Sequence, residues 1–395
     1  MTEMVFGTQP VRAGDPILPR WWRTIDRWTL GCVLALFGTG LLLGFAASPP
    51  LADKNGFQPF HYVQRQAFFG TMAICAMLFV SMMSPQQVRR LGVTGFALAF
   101  VAILFLPIFG TDFGKGAVRW YSLGFGSFQP SEFLKPCFVI LAAWLMAASQ
   151  EIGGPPGKAW SLILAAIIAL LLALQPDFGQ AALVLFSWGV IYFVAGAPFL
   201  LLTGLAGAAV AGGVLAYNSS EHFARRIDGF LNPEVDPRTQ LGYATNAIQE
   251  GGFFGVGVGE GTVKWSLPDA HTDFIIAVAA EEYGLVLVLA IIALYAVITV
   301  RALVRLMRER DPFIRLAGAG LACAFGVQAL INMGVAVRLL PAKGMTLPFV
   351  SYGGSSVIAS GIALGMLLAL TRTRPQGGIG DILLKRGNQW RGNGI

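Results

Sequence analysis

Residues 267–300 read LPDAHTDFIIAVAAEEYGLVLVLAIIALYAVITV. A polar turn ending in His271, Thr272 and Asp273 leads straight into an apolar stretch whose only charged side chains are Glu281 and Glu282. Runs of about twenty apolar residues span the roughly 30 Å hydrocarbon core of a bilayer, and the chain repeats such runs along its length. Of its 395 residues, 55% are hydrophobic and 12% charged, against about 25% charged in soluble proteins. A soluble globule of this length would lack the charge to cover its surface. The pattern predicts an all-α integral membrane protein with ten transmembrane helices, near 28–48, 64–84, 91–110, 131–149, 159–175, 178–196, 199–217, 274–300, 313–337 and 352–372. They form one membrane domain (28–372), preceded by a segment 1–27 and followed by a tail 373–395.

Lysine and arginine set the orientation. With the N-terminus inside, 17 of the 28 basic residues fall in the cytoplasm, and the bias is clearest in Arg89-Arg90 and in the 301–315 cluster. Both termini are expected to be cytoplasmic. Trp21 and Trp22, flanked by Arg20 and Arg23, read as interfacial anchors. Phe45-Ala46-Ala47-Ser48 superficially resembles a signal-peptidase site, but the apolar run before it exceeds the 7–15 residues or so of a signal peptide, so the helix is retained. The net charge of +7 does not indicate nucleic acid, because the basic residues lie beside apolar spans without an aromatic-interleaved patch. Cys32, Cys75, Cys137 and Cys323 all sit in apolar runs without metal-ligand spacing and read as small hydrophobes. Asn218-Ser219-Ser220 is a chance match to a glycosylation sequon.

Two outer connections are unusual: 111–130, and the long loop 218–273 between the seventh and eighth helices. The second contains Phe230, Tyr243, Phe253, Phe254 and Trp265, and is expected to fold back onto the membrane surface. Its Gly255–Gly261 segment has neither a dinucleotide register nor a Walker lysine, and reads as a flexible surface loop.

Charged residues at the membrane rim are costly and mark functional candidates. They gather on the outer side: Lys115, Arg119 and Trp120; Gln129 to Glu132; Gln175-Pro176-Asp177; Lys264 and His271 to Asp273; Lys343; and Ser351 to Ser356. Each has a plain alternative. Ser131-Glu132 after Pro130 suits a helix N-terminus, and Gln175-Pro176-Asp177 suits a capped turn. Ser351 to Ser356 can present backbone N–H groups to an anion or simply allow close packing. Spaced glycines such as Gly40/Gly44 and Gly361/Gly365 read as packing devices. Thr272 or Asp273 could be an ordinary N-cap. Against that, Ala277 and Ala280 leave small residues on the face of Asp273. At 100° per residue Glu281 lies nearer that face than Glu282, so Glu281 is the acid expected to share a cavity with Asp273. Lys115, Arg119, Lys264, Arg338 and Lys343 are available to meet an anionic phosphate.

These residues also carry a family resemblance. Val118-Arg119-Trp120 with Gln129-Pro130-Ser131-Glu132, then Gln175-Pro176-Asp177, Gly251 to Gly257, Pro268 to Phe274, and Pro348 to Ser356 occur in the order found in the SEDS family of shape, elongation, division and sporulation proteins. Leu340-Pro341-Ala342-Lys343-Gly344 resembles the division-type branch. Departures are Ile276 after Phe274-Ile275, Lys115 at a position where a small polar residue is common, and Arg338 before Leu339.

The resemblance implies a glycosyltransferase that polymerises lipid II on the outer face of the bacterial inner membrane at the division septum. It makes Asp273 the essential carboxylate. It implies a class B penicillin-binding protein as partner and, for division types, contact with FtsQ, FtsL and FtsB. Substrate contacts are expected among Lys115, Arg119, Trp120, Gln129, Glu132, Lys264, His271, Thr272, Lys343, Ser351 and Ser355, with Arg119 and Lys343 foremost for phosphate. The leaving diphosphate would be stabilised by such basic residues or by a divalent cation, Mg or Mn. The competing classes are a lipid II flippase, disfavoured because no internal repeat is seen and the charges crowd the rim, the elongation-type polymerase, and a scaffold, which would not need Asp273 at the mouth of a polar site.

Overall fold

The structure, a computed structural model, describes residues 17–112, 118–124, 126–219, 221–231, 239–267, 269–341 and 344–373. A helix occupies each of the ten predicted stretches: α2 (Arg27–Lys54), α3 (His61–Ser81), α4 (Pro85–Phe109), α5 (Pro130–Ala148), α6 (Gly157–Leu174), α7 (Phe178–Val194), α8 (Phe199–Ser219), α11 (Ile275–Leu306), α12 (Pro312–Ala336) and α13 (Gly354–Leu370). Among the described residues, seven of these are long and apolar enough to cross a membrane, and α7 and α13 are shorter apolar helices. Three further helices, α1 (Ile17–Thr24), α9 (Glu221–Leu231) and α10 (Gln240–Gly251), precede or interrupt the set. Strands β1 (Tyr121–Ser122) and β2 (Ser127–Phe128) form a small antiparallel hairpin between α4 and α5.

Local chemistry sets several of the boundaries. Ser84 caps α4 in a reciprocal box with Gln87, and Pro85 takes the first helical position. Asp311 caps α12 by accepting from the Ile314 N–H, and Asp26 caps α2 through the Trp28 N–H. Asp26 does more than cap. It is 3% exposed and accepts from Arg301 Nε (2.7 Å), Arg305 Nη2 (3.1 Å) and Thr29 Oγ1 (3.0 Å). Burial alone would raise its pKa, but the Arg301 hydrogen bond and the Arg305 charge outweigh burial and hold the carboxyl below its ordinary range. The start of α2 is thereby fastened to the far end of α11.

Helices α5 and α12 are the inner pair and bury most of their surface, whereas α4 and α6 turn most of theirs outward. The outward faces are apolar, as lipid contact requires. Helix α13 lies along α3, and α4 along α5. The α13–α3 approach is close enough that a Cβ on Gly361 would sit 2.4 Å from the Ala73 carbonyl oxygen, so this glycine is a packing device as its spacing suggested.

Two expectations for the outer loop need correcting. The eighth helix is not continuous: Gly284 has φ 75° and ψ −173°, a conformation open to glycine, and splits α11 into 275–283 and 285–306. Nor is the glycine-rich segment a free surface loop. Val256 N–H donates to the Glu281 carbonyl (2.8 Å) and Gly257 N–H to that of Glu282 (3.3 Å), while the Leu285 and Val286 N–H groups donate to the Gly252 (3.0 Å) and Phe253 (3.3 Å) carbonyls. Residues 252–257 thus satisfy the backbone groups that the break sets free. Unpaired, each would be costly in an apolar setting. Helix α10 packs beside this junction with Ala244 and Ala247 fully buried.

A Cβ at Gly284 would lie 2.3 Å from the Phe253 carbonyl oxygen, whereas one at Gly31 meets nothing within 4 Å. Gly284→Ala is therefore expected to destabilise the protein by at least about 1–3 kcal/mol, and Gly31→Ala to be neutral or mildly stabilising. Thermal unfolding of the two purified variants checks both.

Candidate functional site

Asp273 sits in the turn that enters the broken helix. Its N–H and that of Thr272 donate to the Asp269 carbonyl at 3.1 and 3.0 Å. Neither Thr272 nor Asp273 is the N-cap: that position is Phe274, which has no side-chain capping bond. The turn is held instead by its backbone carbonyls. Asn332 Nδ2 on α12 donates to the Asp273 carbonyl (3.0 Å) and to that of Met345, and Ser351 Oγ donates to the Thr272 carbonyl.

These contacts tie the turn to a second non-helical segment, 344–353, which is itself pinned from several sides. Gln66 Nε2 donates to the Val350 carbonyl (2.9 Å), Tyr295 hydroxyl to that of Pro348, and Gln328 Nε2 to that of Thr346 (3.1 Å). Ser351 Oγ also accepts from the Leu347 N–H (2.9 Å), and Tyr352 N–H donates to the His271 carbonyl (2.9 Å). Phe349 has φ 66° although it is not glycine, and it is 1% exposed. Such strain, about 1–3 kcal/mol, persists only where the surroundings over-determine the backbone.

The two segments open onto a cleft of about 800 Å³, within the range of small-molecule sites. From 269–274 it receives Asp269, Thr272, Asp273 and Phe274; from 344–356, Gly344, Thr346, Tyr352, Gly353, Gly354, Ser355 and Ser356. Arg65 and Phe69 reach it from α3, and Arg119, Trp120, Gln129 and Glu132 from the hairpin and the start of α5. Ser122, Ser127, Asp177 and Gln240 add to the polar lining. The Arg119 guanidinium is fixed by donating to the Gln175 (2.8 Å) and Pro176 (2.7 Å) carbonyls. The first turn of α13 also faces the cleft, with Ser355 Oγ accepting from the Gln129 N–H (3.2 Å).

Beneath the cleft runs a buried polar layer. Glu132 pairs with Lys135 (2.8 Å) and accepts from Gln180 Nε2, and Lys135 donates to Gln328 Oε1 (3.2 Å). Glu132 is thus more than the acid of a helix first turn. Asp177 does cap α7, through the Gln180 N–H (3.5 Å), and also accepts from Gln129 Nε2 (3.3 Å).

Of the residues expected from the sequence, Arg119, Trp120, Gln129, Glu132, Thr272, Asp273 and Ser355 come together at this cleft. Lys264, His271 and Ser351 do not line it. Lys264 is buried against Glu282, so its charge is already met; His271 lies against the rings of Tyr62 and Tyr352; Ser351 is fully buried and braces the backbone. Glu281 does not share the cavity either, because its carboxylate is taken up by the Val263 and Lys264 N–H groups. Arg338 is likewise not among the lining residues. Lys115 and Lys343 lie outside the described residues. Sequence reasoning missed Arg65 and Gln240, and carried Asp269 and Tyr352 only as members of longer motifs. Arg65 carried the one usable signal, a charge on an otherwise apolar helix face. Among the described residues no three His, Cys, Asp or Glu side chains form a metal-binding cluster, and Arg65 and Arg119 are the basic side chains that line the cleft.

Fold and site together define a polytopic membrane protein with a carboxylate- and arginine-lined cleft at the rim of its helical bundle. Residues 27–376 match the model of the cell cycle proteins that groups FtsW, RodA and SpoVE, and the chain belongs to this family. Relatives named probable peptidoglycan glycosyltransferase FtsW include that of Caulobacter vibrioides, 44% identical over 92% of this chain and 93% of its own, and that of Alkalilimnicola ehrlichii, 38% identical over 88% and 89%. Among solved structures, one described as showing the coordination of polymerization and crosslinking by a peptidoglycan synthase complex is similar at a TM-score of 0.72, with 29% identity over 89% of this chain and 99% of that one. A variant of the Thermus thermophilus rod shape determining protein RodA matches at 0.67, with 25% identity over 89% and 99%.

Burial pushes the Asp177 carboxyl above its ordinary range; Arg119 opposes this and Glu132 adds to it, while the Gln180 N–H and Lys135 pull downward. A carboxyl that titrates higher in the folded than in the unfolded state stabilises the fold below its unfolded value, and that contribution is lost as pH rises through the folded value. Asp177→Asn keeps a capping side chain and stays neutral. Its melting temperature relative to wild type should therefore climb as pH rises from about 4, the unperturbed Asp value, and level off once the wild-type group is ionised. Thermal unfolding in detergent across pH 4–8 measures the difference.

Proposed function

We propose that this protein is a peptidoglycan glycosyltransferase of the division type, polymerising lipid II into glycan strands with Asp273 as general base. The observation that carries the reading is the site itself. A carboxylate, anchored through its own backbone to α12 and joined through Thr272 to segment 344–353, opens onto the same cleft as two arginines in a chain whose relatives bear that name.

The chemistry needs few parts. Asp273 accepts the proton of an acceptor sugar hydroxyl as the oxygen attacks the anomeric carbon of the donor. The new carbon–oxygen bond forms as the bond to the lipid diphosphate breaks, and the diphosphate leaves with the electron pair. Attack from the face opposite the leaving group inverts the anomeric centre, as in inverting glycosidases. Diphosphate departs without an acid, so the second demand is charge stabilisation. Arg65 and Arg119 supply it, and the N-terminal N–H groups of α13 are positioned to assist.

All ten apolar helices cross the inner membrane in this reading, with the N-terminus in the cytoplasm and the cleft facing outward. The basic residues near Arg89-Arg90 and 301–315 support that orientation. A class B penicillin-binding protein is the expected partner, cross-linking the strands as they emerge at the septum, with FtsQ, FtsL and FtsB in the larger assembly.

With labelled lipid II and the transpeptidase partner, the purified wild type is expected to yield polymer and Asp273→Asn to lose about 10²–10⁴-fold in rate. Equal polymer from both would falsify the assignment of the base. Labelled lipid that crossed a vesicle bilayer without polymerising would identify a transporter instead. Arg119→Gln should raise KM for lipid II, because the guanidinium meets the diphosphate in the ground state as well as in the transition state.

A further inference from the structure

We infer that Glu281 is a positioning residue for Asp273: its carboxylate staples the outer loop to the broken helix and so fixes where the base sits. This rests on the reading of Asp273 as general base. Glu281 Oε1 accepts from the Val263 N–H (2.7 Å) and Oε2 from the Lys264 N–H (3.0 Å). Val263 and Glu281 are 18 residues apart, and Asp273 lies between them, ten residues from one and eight from the other. The two hydrogen bonds therefore close a ring of chain with the base near its midpoint.

Three observations separate this from ordinary packing. The junction has no room for alternatives: a Cβ on Gly261 would lie 2.8 Å from Glu281 Cδ, and one on Gly251 1.8 Å from the Ala280 carbonyl oxygen. The junction is also charged where an apolar contact would cost less. Glu281 and Glu282 are 0% and 1% exposed, Lys264 is 4% exposed, and Lys264 is paired with Glu282; a buried pair of this kind commonly does no better than apolar packing. What two carboxylate–amide bonds add is direction, since they fix register and distance together. Finally, the helical piece that follows Asp273 ends at the Gly284 break. A helix of about two turns is not stable alone, so its orientation is set by what holds it. Glu281 and the 252–257 clasp hold one end, and Ser351 and Asn332 hold the other.

Cutting the staple should let the turn shift while the arginines and the α13 N-terminus, which bind the substrate, stay in place. Displacement of a reacting group by about 1 Å costs on the order of 10²-fold. Glu281→Ala is therefore expected to lower kcat for lipid II polymerisation about 100-fold with KM unchanged within twofold. Glu281→Gln, which can keep one of the two acceptors, should give an intermediate kcat and serves as the readout if the alanine variant folds poorly.

Hydrogen exchange on the full-length protein supplies a measurement independent of activity. Amides of Val263 and Lys264 and of residues 269–274 should exchange faster in either variant, while those of α12 keep wild-type protection. Wild-type kcat in both variants, unchanged exchange at 263–274, or exchange that rises equally in α12 would each overturn the inference. Asp273→Asn, assayed in parallel, separates the two claims. If it polymerised normally, the reading of the base would fall, while the exchange data would still decide whether Glu281 is a staple.

Discussion

No water reaches the middle of a bilayer, so every peptide group there must find its partner within the protein. The site depends on this constraint because it is built from two interruptions of helix. Where α11 breaks at Gly284, segment 252–257 supplies donors to Glu281 and Glu282 and acceptors to Leu285 and Val286. Where the chain turns back between α12 and α13, the side chains of Gln66, Tyr295, Gln328, Asn332 and Ser351 perform the same service for 344–351. The irregular backbone of both segments thus has hydrogen-bond partners within the protein. A cleft lined by such backbone has fixed walls, which suits a reaction whose two substrates must be aligned.

The buried polar layer under the cleft extends the same principle to side chains. Lys135, Glu132 and Gln180 join α5 to α7, and Lys135 reaches Gln328 on α12, whose amide braces Thr346 at the cleft wall. Polar contacts among helices in a membrane are modest individually. Their effect here is registry: they set the depth at which α5, α7 and α12 meet, and with it the relative height of Arg119, Asp177 and Asp273.

The ten helical stretches were legible in the sequence because hydropathy is a local signal and each run is long. The residues of the 119–132, 269–274 and 344–356 segments were legible too, since charges and serines at the ends of apolar runs stand out. What stayed hidden was pairing across the chain. Helical angle alone gave Glu281 to the cavity, because it takes no account of the distant Val263 and Lys264 amides that take up its carboxylate. The break at Gly284 comes from contact with a loop some thirty residues earlier, which no window around Gly284 reveals. Lys264 looked available for phosphate for the same reason, because its partner Glu282 is distant in sequence. Arg65 was passed over inside an apolar helix, and Tyr352 inside a stretch read for its backbone N–H groups and close packing.

The discontinuity in α11 has a mechanical corollary. An unbroken helix of this length would act as a stiff rod, carrying a twist or a push from Arg301 and Arg305, which grip Asp26, to the turn bearing Asp273. The break interrupts that rod, and segment 252–257 is bonded to both halves there, to Glu281 and Glu282 on one side and to Leu285 and Val286 on the other. A push from the opposite surface is therefore shared with residues 252–257 before it reaches the turn bearing Asp273.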